Sequence, residues 1–85
     1  TDFNPGTAPS VHLPMAMTLA CVRHGLTPAE ALRGATTHGA RAIGMDYLVG
    51  SLEPGKRADF ALIDADSVDH WLYHFRPNAT LGVYV

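Results

Sequence analysis

An α/β fold is expected of this chain, with a helical half followed by a half of short strands. Three observations predict it. Apolar residues recur at helical spacing from Met15 to Val22, between Pro14 and Gly25. Thr27-Pro28-Ala29-Glu30 has the form of a capping box and opens a second helix. Beyond Met45 the helical period is lost, and Gly50, Pro54 and Gly55 punctuate short segments that lead into Phe60-Ala61-Leu62-Ile63.

Residues 1–10 read as a loop. Pro14 suits a first helical position, where its missing N–H costs nothing. Met15, Ala16, Leu19, Ala20 and Val22 then form an apolar stripe, which Met17 and Cys21 widen to most of the circumference. A helix so apolar is expected to be buried or packed on two sides. Arg23 and His24 suit the dipole of its last turn, and Gly25 its C-terminal stop. Helices are thus predicted over 14–24 and 28–37. Gly34 weakens the second by about 1 kcal/mol relative to Ala, which suggests close helix packing there. Thr36-Thr37-His38-Gly39 can break and recap the chain before a short helix through Arg41 and Ile43 stops at Gly44.

Pro54-Gly55 fits the centre of a type II turn. Phe60 to Ile63 reads as a buried strand within 59–63, and Asp64-Ala65-Asp66-Ser67 as a loop. Val68 to Phe75 is ambiguous, with one helical turn as the candidate. Pro77-Asn78 reads as a turn and 81–85 as a strand.

Eighty-five residues allow one small domain, whose core is marginal without staples, metal or a partner. The single cysteine, Cys21, excludes an internal disulfide and reads as a small buried residue rather than a nucleophile. That usage suits a reducing, cytoplasmic setting. With a net charge of −2 and no basic run, nothing points to nucleic acid. No apolar run reaches membrane-spanning length, and no signal peptide is visible. An apolar content of 47% is high for so short a chain, and suggests a piece of a larger buried architecture. Thr1 in place of an initiator Met, directly before a polar motif, fits the same expectation.

That motif, Asp2-Phe3-Asn4-Pro5-Gly6-Thr7, puts an acid, an amide, a glycine and a hydroxyl within one short loop. Asp2 can ligate a metal or accept a proton, and Asn4 can both donate and accept hydrogen bonds. Thr7 and the amides near Gly6 can hold an oxyanion or carboxylate. The plainer alternative is an Asx-type turn that caps the following helix. Among the five histidines, His70 and His74 have i, i+4 spacing but lack a HExxH glutamate, so a metal site is not expected there. His12 lies near the edge of the opening loop, and His24 and His38 read as helix-end residues. Lys56, Arg57 and Asp59 read as exposed turn charges. Trp71, Tyr73 and Phe75 alternate, as residues covering a junction between domains or subunits would.

Asp-x-Asn-Pro-Gly-Thr-x-Pro over residues 2–9, followed by an Ala/Met-rich helix, resembles the end of the eighth barrel strand in the imidazolonepropionase family of the amidohydrolase superfamily. The likeness continues through Leu26-Thr27-Pro28-Ala29-Glu30-Ala31-Leu32, Ala40-Arg41-Ala42-Ile43-Gly44 and Gly50-Ser51-Leu52-Glu53-Pro54-Gly55-Lys56-Arg57-Ala58-Asp59-Phe60. The last two motifs are common across the superfamily, whereas the opening one is narrower.

The resemblance implies that residues 1–49 complete a metal-dependent-hydrolase (β/α)8 TIM barrel. Residues 50–85 would then belong to a small composite β-sandwich domain. It places Asp2 at the C-terminal end of a barrel strand, where such active sites lie. Asp2 would ligate one Zn2+ or Fe3+ ion and carry a catalytic proton. Asn4 and Gly6 would bind the product N-formimidoyl-L-glutamate, and Thr7 the small-molecule substrate 4-imidazolone-5-propanoate. The implied reaction is hydrolysis of that cyclic amide in histidine degradation, by a cytoplasmic homodimer whose other metal ligands, all histidines, lie outside this chain. The 85 residues alone are expected to be inactive. Two other readings stay open: another cyclic-amide hydrolase or deaminase of the superfamily, and a non-catalytic fold fragment or interaction module.

Overall fold

Local capping chemistry sets the helical half. The computed structural model describes residues 1–76 and 78–85, so Pro77 of the expected Pro77-Asn78 turn lies outside the described residues. Helix α1 spans Leu13–His24, with Pro14 in its first turn. Gly25 ends it in the left-handed region at φ 71°, its N–H donating to the Cys21 carbonyl at 3.2 Å. A side chain with a Cβ would resist that backbone, which is why glycine stands there.

Helix α2, Pro28–Arg33, starts on the complete capping box. Thr27 Oγ1 accepts from the Glu30 N–H at 3.2 Å, and Glu30 Oε2 accepts from the Thr27 N–H at 2.8 Å. These bonds hold the Glu30 carboxyl below its ordinary value of 4.5, the Thr27 N–H contributing most and the Thr27 hydroxyl next. The sign follows: a depressed carboxyl stabilises the fold above its unfolded pKa, and loses that contribution as pH falls through the folded one. Amide protection in the first turn of α2, exchange taken relative to its intrinsic rate, is therefore expected to fall on acidification below the ordinary Glu range. Thr27→Ala keeps the N–H that contributes most, so it should leave much of that pH dependence in place while costing about 1 kcal/mol through the lost hydroxyl cap. Unaltered exchange at all pH values in the variant would rule the cap out as a stabilising element.

The expected break at Thr36–Gly39 does not occur. The helix continues as a π-helical segment, Gly34–His38, and then as α3, Gly39–Ala42, before Gly44 turns the chain at φ 69°. The threonine hydroxyls explain this. Thr36 donates to the Leu32 carbonyl at 2.8 Å and Thr37 to the Arg33 carbonyl at 3.4 Å. Both bond back onto the preceding turn instead of recapping the chain. His38 is consequently inside a continuous helical path, not at its end. Gly34 is exposed and has open space where a Cβ would stand, so the close packing expected there is absent. Close approach falls instead at Gly50, where a Cβ would meet Ala40 Cβ at 2.7 Å.

The Glu53–Lys56 turn has Pro54 and Gly55 at its centre. Gly55 lies at φ 91°, and the Lys56 N–H donates to the Glu53 carbonyl at 3.1 Å, as a type II turn requires. Strand β1, Phe60–Ile63, then pairs antiparallel with β2, Thr80–Tyr84. Phe60 faces Tyr84 across the ladder, their rings stacked at 4.8 Å, and a bulge falls between Leu62 and Ile63. Between the strands, the ambiguous stretch forms α4, Val68–Tyr73. Ser67 caps it by accepting the His70 N–H at 3.0 Å.

The core is small. Met17 of α1, Ala31 of α2 and Leu72 of α4 meet, with Cys21, Leu32, Ala35, Val68 and Trp71 packed partly against them. Thr18, 4% exposed, donates its hydroxyl to the Leu72 carbonyl at 2.9 Å, so the polar group that α1 buries is satisfied. Two burial expectations fail for one reason. Phe60, Ala61 and Leu62 of β1 are exposed, and so are Leu13, Met15, Leu19 and Val22 on the outer side of α1. Among the described residues no second sheet covers the two-stranded ribbon, whose inner face looks across an open groove to the helices, and α1 is covered on one side only. The total surface of 6240 Å2 accordingly exceeds the roughly 4900 Å2 that scaling gives a free-standing protein of this mass. The radius of gyration, 13.4 Å, likewise exceeds about 12 Å for a self-contained domain of this length.

Candidate active-site loop

The opening loop is built around one side chain. The Asn4 N–H donates to the Ala8 carbonyl at 3.0 Å and closes Pro5–Thr7 into a tight turn. Asn4 Oδ1 accepts the N–H groups of Gly6 at 3.0 Å and Thr7 at 2.8 Å. Asn4 Nδ2 donates to the Asp2 carbonyl at 2.8 Å and to Thr7 Oγ1 at 3.2 Å. A Cβ on Gly6 would stand 3.3 Å from Asn4 Oδ1, so glycine lets the amide sit against the turn. Asp2 itself adopts the left-handed region, φ 49°, uncommon for a residue with a side chain.

Asp2, Asn4, Gly6 and Thr7 are thus brought together as the sequence suggests. The two backbone N–H groups that looked able to hold a carboxylate are, however, occupied by Asn4. The Asx turn is present but caps nothing. Helix α1 has His12 as its N-cap with no side-chain bond, and the neighbouring Ser10 hydroxyl accepts the His12 N–H at 3.1 Å.

The Asp2 carboxylate is exposed and has no hydrogen bond or ion pair among the described residues. It fits a metal as a single anionic oxygen donor. Among the described residues no group of three His, Cys, Asp or Glu side chains converges on one point, so any such site needs further ligands from outside this chain. His70 and His74 meet edge to face at 4.5 Å, with Tyr73 5.1 Å from His74. His12 lines a small pocket with Met15, Thr18, Trp71, Phe75 and Arg76.

The turn charges pair among themselves. Lys56 Nζ lies 3.1 Å from Glu53 and donates to the Ser51 hydroxyl at 2.8 Å, while Arg57 lies 3.3 Å from Asp59. The Ser51 hydroxyl, which donates to Glu53, is the main cause of a lowered Glu53 carboxyl, and Lys56 is the next. Sequence reasoning missed two features. Arg76 clamps Asp64 through its carbonyl at 2.7 Å and its carboxylate at 3.0 Å, a pairing of distant positions with no local signal. An apolar groove of about 570 Å3 also opens between the helices and the ribbon, with Leu32, Ala35, Ile43, Leu52, Phe60 and Trp71 among its walls. The high apolar content was its only trace in the sequence.

The chain belongs to the amidohydrolase family, whose profile matches residues 4–85. Within that class it is similar to curated imidazolonepropionases. The enzyme of Geobacillus thermodenitrificans is 49% identical over 80 residues, 94% of this chain and 19% of that protein. The enzyme of Treponema denticola is 46% identical over 84 residues, 99% of this chain and 20% of that protein. The enzyme of Klebsiella pneumoniae is 51% identical over 73 residues, 86% of this chain and 18% of that protein. The chain therefore spans about a fifth of the length of the relatives it matches. Among the described residues no helix is long and apolar enough to cross a membrane.

Proposed function

We propose that this chain is a C-terminal segment of an imidazolonepropionase, which hydrolyses 4-imidazolone-5-propanoate to N-formimidoyl-L-glutamate. The observation that carries the reading is the Asp2–Thr7 loop. It combines an unpartnered carboxylate with a rigid polar turn, in a chain 40–53% identical to proteins of that name. Residues 1–49 would close a (β/α)8 barrel and residues 50–85 would join a composite β-sandwich. The uncovered faces of α1 and the β1–β2 ribbon support that division, because both need apolar neighbours.

A bound Zn2+ or Fe3+ ion would supply Lewis acidity and lower the pKa of a water molecule toward about 7. Asp2 would give one oxygen ligand, accept the proton released as water adds to the ring amide carbon, and deliver it to the departing ring nitrogen. The C–N bond then breaks and the open-chain amidine acid leaves. Asn4, Gly6 and Thr7 would form the substrate-facing loop, with the Thr7 hydroxyl held against the Asn4 amide. The parent would act in the cytoplasm as a homodimer.

The experiment is an assay of the metal-loaded full-length protein on 4-imidazolone-5-propanoate beside a cyclic imide and an aminated heterocycle. Ring opening of the imidazolone alone is the expected outcome. Preferential turnover of either alternative would transfer the chain to another branch of the family. The isolated 85 residues are expected to turn over none of the three, since Asp2 cannot hold a metal unaided. Measurable imidazolone hydrolysis by that piece would show that the site is misplaced.

A further inference from the structure

Helix α1 follows the opening loop directly, and no side-chain cap fixes the joint between them. The turn from Asn4 to Ala8 is closed on itself, and residues 9–12 connect it to the helix. His12, the N-cap, makes no side-chain bond to the helix, although this place usually supplies one. The outer side of α1 is uncovered, so the placement of its first turns depends on what its other side meets.

That side meets α4. Thr18 Oγ1 lies 2.9 Å from the Leu72 carbonyl oxygen and 3.1 Å from that of Pro14. The hydroxyl has one hydrogen to give, and the shorter contact runs to α4. Leu72, 3% exposed, fills the core beside Met17. Nearer the loop, His12, Pro14 and Met15 share a small pocket with Trp71, Phe75 and Arg76. Its volume of about 10 Å3 is at the lower limit for one water molecule, so the two sets of side chains close on each other.

The far end of α4 is held as well. Phe75 sits at φ 47°, a region that a bulky residue keeps only where contacts around it impose it. Beside it, Arg76 grips Asp64, which follows β1, through the carbonyl at 2.7 Å and the carboxylate at 3.0 Å. Helix α4 is thereby fixed between the ribbon and α1.

We infer that α4 is a positioning element for the opening loop. By holding the first two turns of α1 it sets where Asp2 stands, and it acts through Thr18 and Trp71. The inference rests on the proposed role of Asp2 as a metal ligand. It gives residues 50–85 a part in the reaction without a contact to substrate. A displacement of about 1 Å at a reacting group can cost 10²-fold in rate.

Thr18→Val and Thr18→Ser in the full-length protein separate positioning from stability alone. Valine keeps the branched shape and loses the bond to α4, whereas serine keeps the bond and loses a buried methyl group. The measurements are Zn2+ affinity by competition with a chromophoric chelator, kcat and KM on the loaded protein, and the thermal unfolding midpoint. Rates are taken well below every midpoint. Both midpoints are expected to fall. For Thr18→Val, Zn2+ affinity and kcat should each drop by roughly 10–100-fold, with KM within about threefold. For Thr18→Ser, both should stay near those of the parent. Equal Zn2+ affinity and kcat in the two variants would reduce the Thr18–Leu72 bond to a stability contact and overturn the inference. Where Thr18→Val does not fold, Trp71→Phe decides in its place, since it leaves Leu72 in the core. Its Zn2+ affinity and kcat should fall at unchanged KM, and unchanged values of both would overturn the inference. Asp2→Asn is the control. If it kept full Zn2+ affinity and kcat, the reading of Asp2 would fall, and this inference with it. A defective Asp2→Asn beside an unaffected Thr18→Val would overturn the inference alone.

Discussion

Asp2→Asn in the full-length, metal-loaded protein is expected to lower kcat by ~10²–10⁴-fold, the usual contribution of a positioned acid–base group. The substitution keeps the size of the side chain and removes two capacities together. An amide cannot shuttle a proton at the leaving nitrogen, and its neutral oxygen is a weaker ligand than a carboxylate. Nothing in the loop should compensate, since no other carboxylate lies among Asn4, Gly6 and Thr7. The fold should be undisturbed, because the exposed Asp2 carboxylate bonds to none of the described residues and only its backbone carbonyl is used. KM should change far less than kcat, as the loss falls on the transition state. Metal content has to be measured beside the rates, so that an empty site is not mistaken for a slow one. Near-normal kcat with metal bound would remove Asp2 from the chemistry.

The second large effect is on stability. Gly50→Ala is expected to cost about 2–4 kcal/mol, from strain at a forbidden backbone angle together with overpacking. Gly50 lies at φ 95°, and its new Cβ would stand 2.7 Å from the buried Ala40 Cβ, 3.1 Å from the Thr36 carbonyl oxygen and 3.3 Å from Thr37 Cα. Two of those three are backbone atoms of a continuous helix and cannot swing aside. Against total stabilities of about 5–15 kcal/mol, that loss is severe. Gly34→Ala is the internal contrast. Gly34 has helical angles, φ −56° and ψ −45°, with nothing within 4 Å of a new Cβ. It should gain about 0.4–1 kcal/mol. Denaturant midpoints of the two full-length variants should move in opposite directions, and a shared direction would contradict the packing described at Gly50.

These two glycines also show where the sequence was legible. Features set by neighbouring residues could be read directly: the Thr27/Glu30 capping box, Gly25 behind α1, and the Pro54-Gly55 turn. Each depends on side chains within a few positions. Features set by distant partners could not. Close packing was expected at the helical Gly34 and not at Gly50, and only the approach of Ala40 and Thr36 marks Gly50 as the crowded one. Thr36-Thr37 offers the same hydroxyls to a cap or to the turn behind it, and the competition is decided by the helix already formed. The exposed β1 was misread as buried because an apolar run reports the need for a cover, not its presence. The candidate site followed the same division. The loop motif singled out Asp2, Asn4, Gly6 and Thr7 as candidates, while the turn of the Asn4 amide onto the Gly6 and Thr7 N–H groups had no signal beyond the Asx-turn alternative.

The β1–β2 ribbon bears on how the protein must be made. Among the described residues each strand has one neighbour, so the outer N–H and C=O groups of both form an open template for a further strand. The exposed side chains that flank those edges are mostly uncharged: Phe60, Leu62, Leu81, Val83 and Tyr84. The bulge between Leu62 and Ile63 is the one visible irregularity that interrupts the ladder. A nascent or partly unfolded chain that presents this ribbon uncovered can add a strand from a second molecule. Self-association and a demand for chaperones during synthesis are the consequences built into that pair of strands.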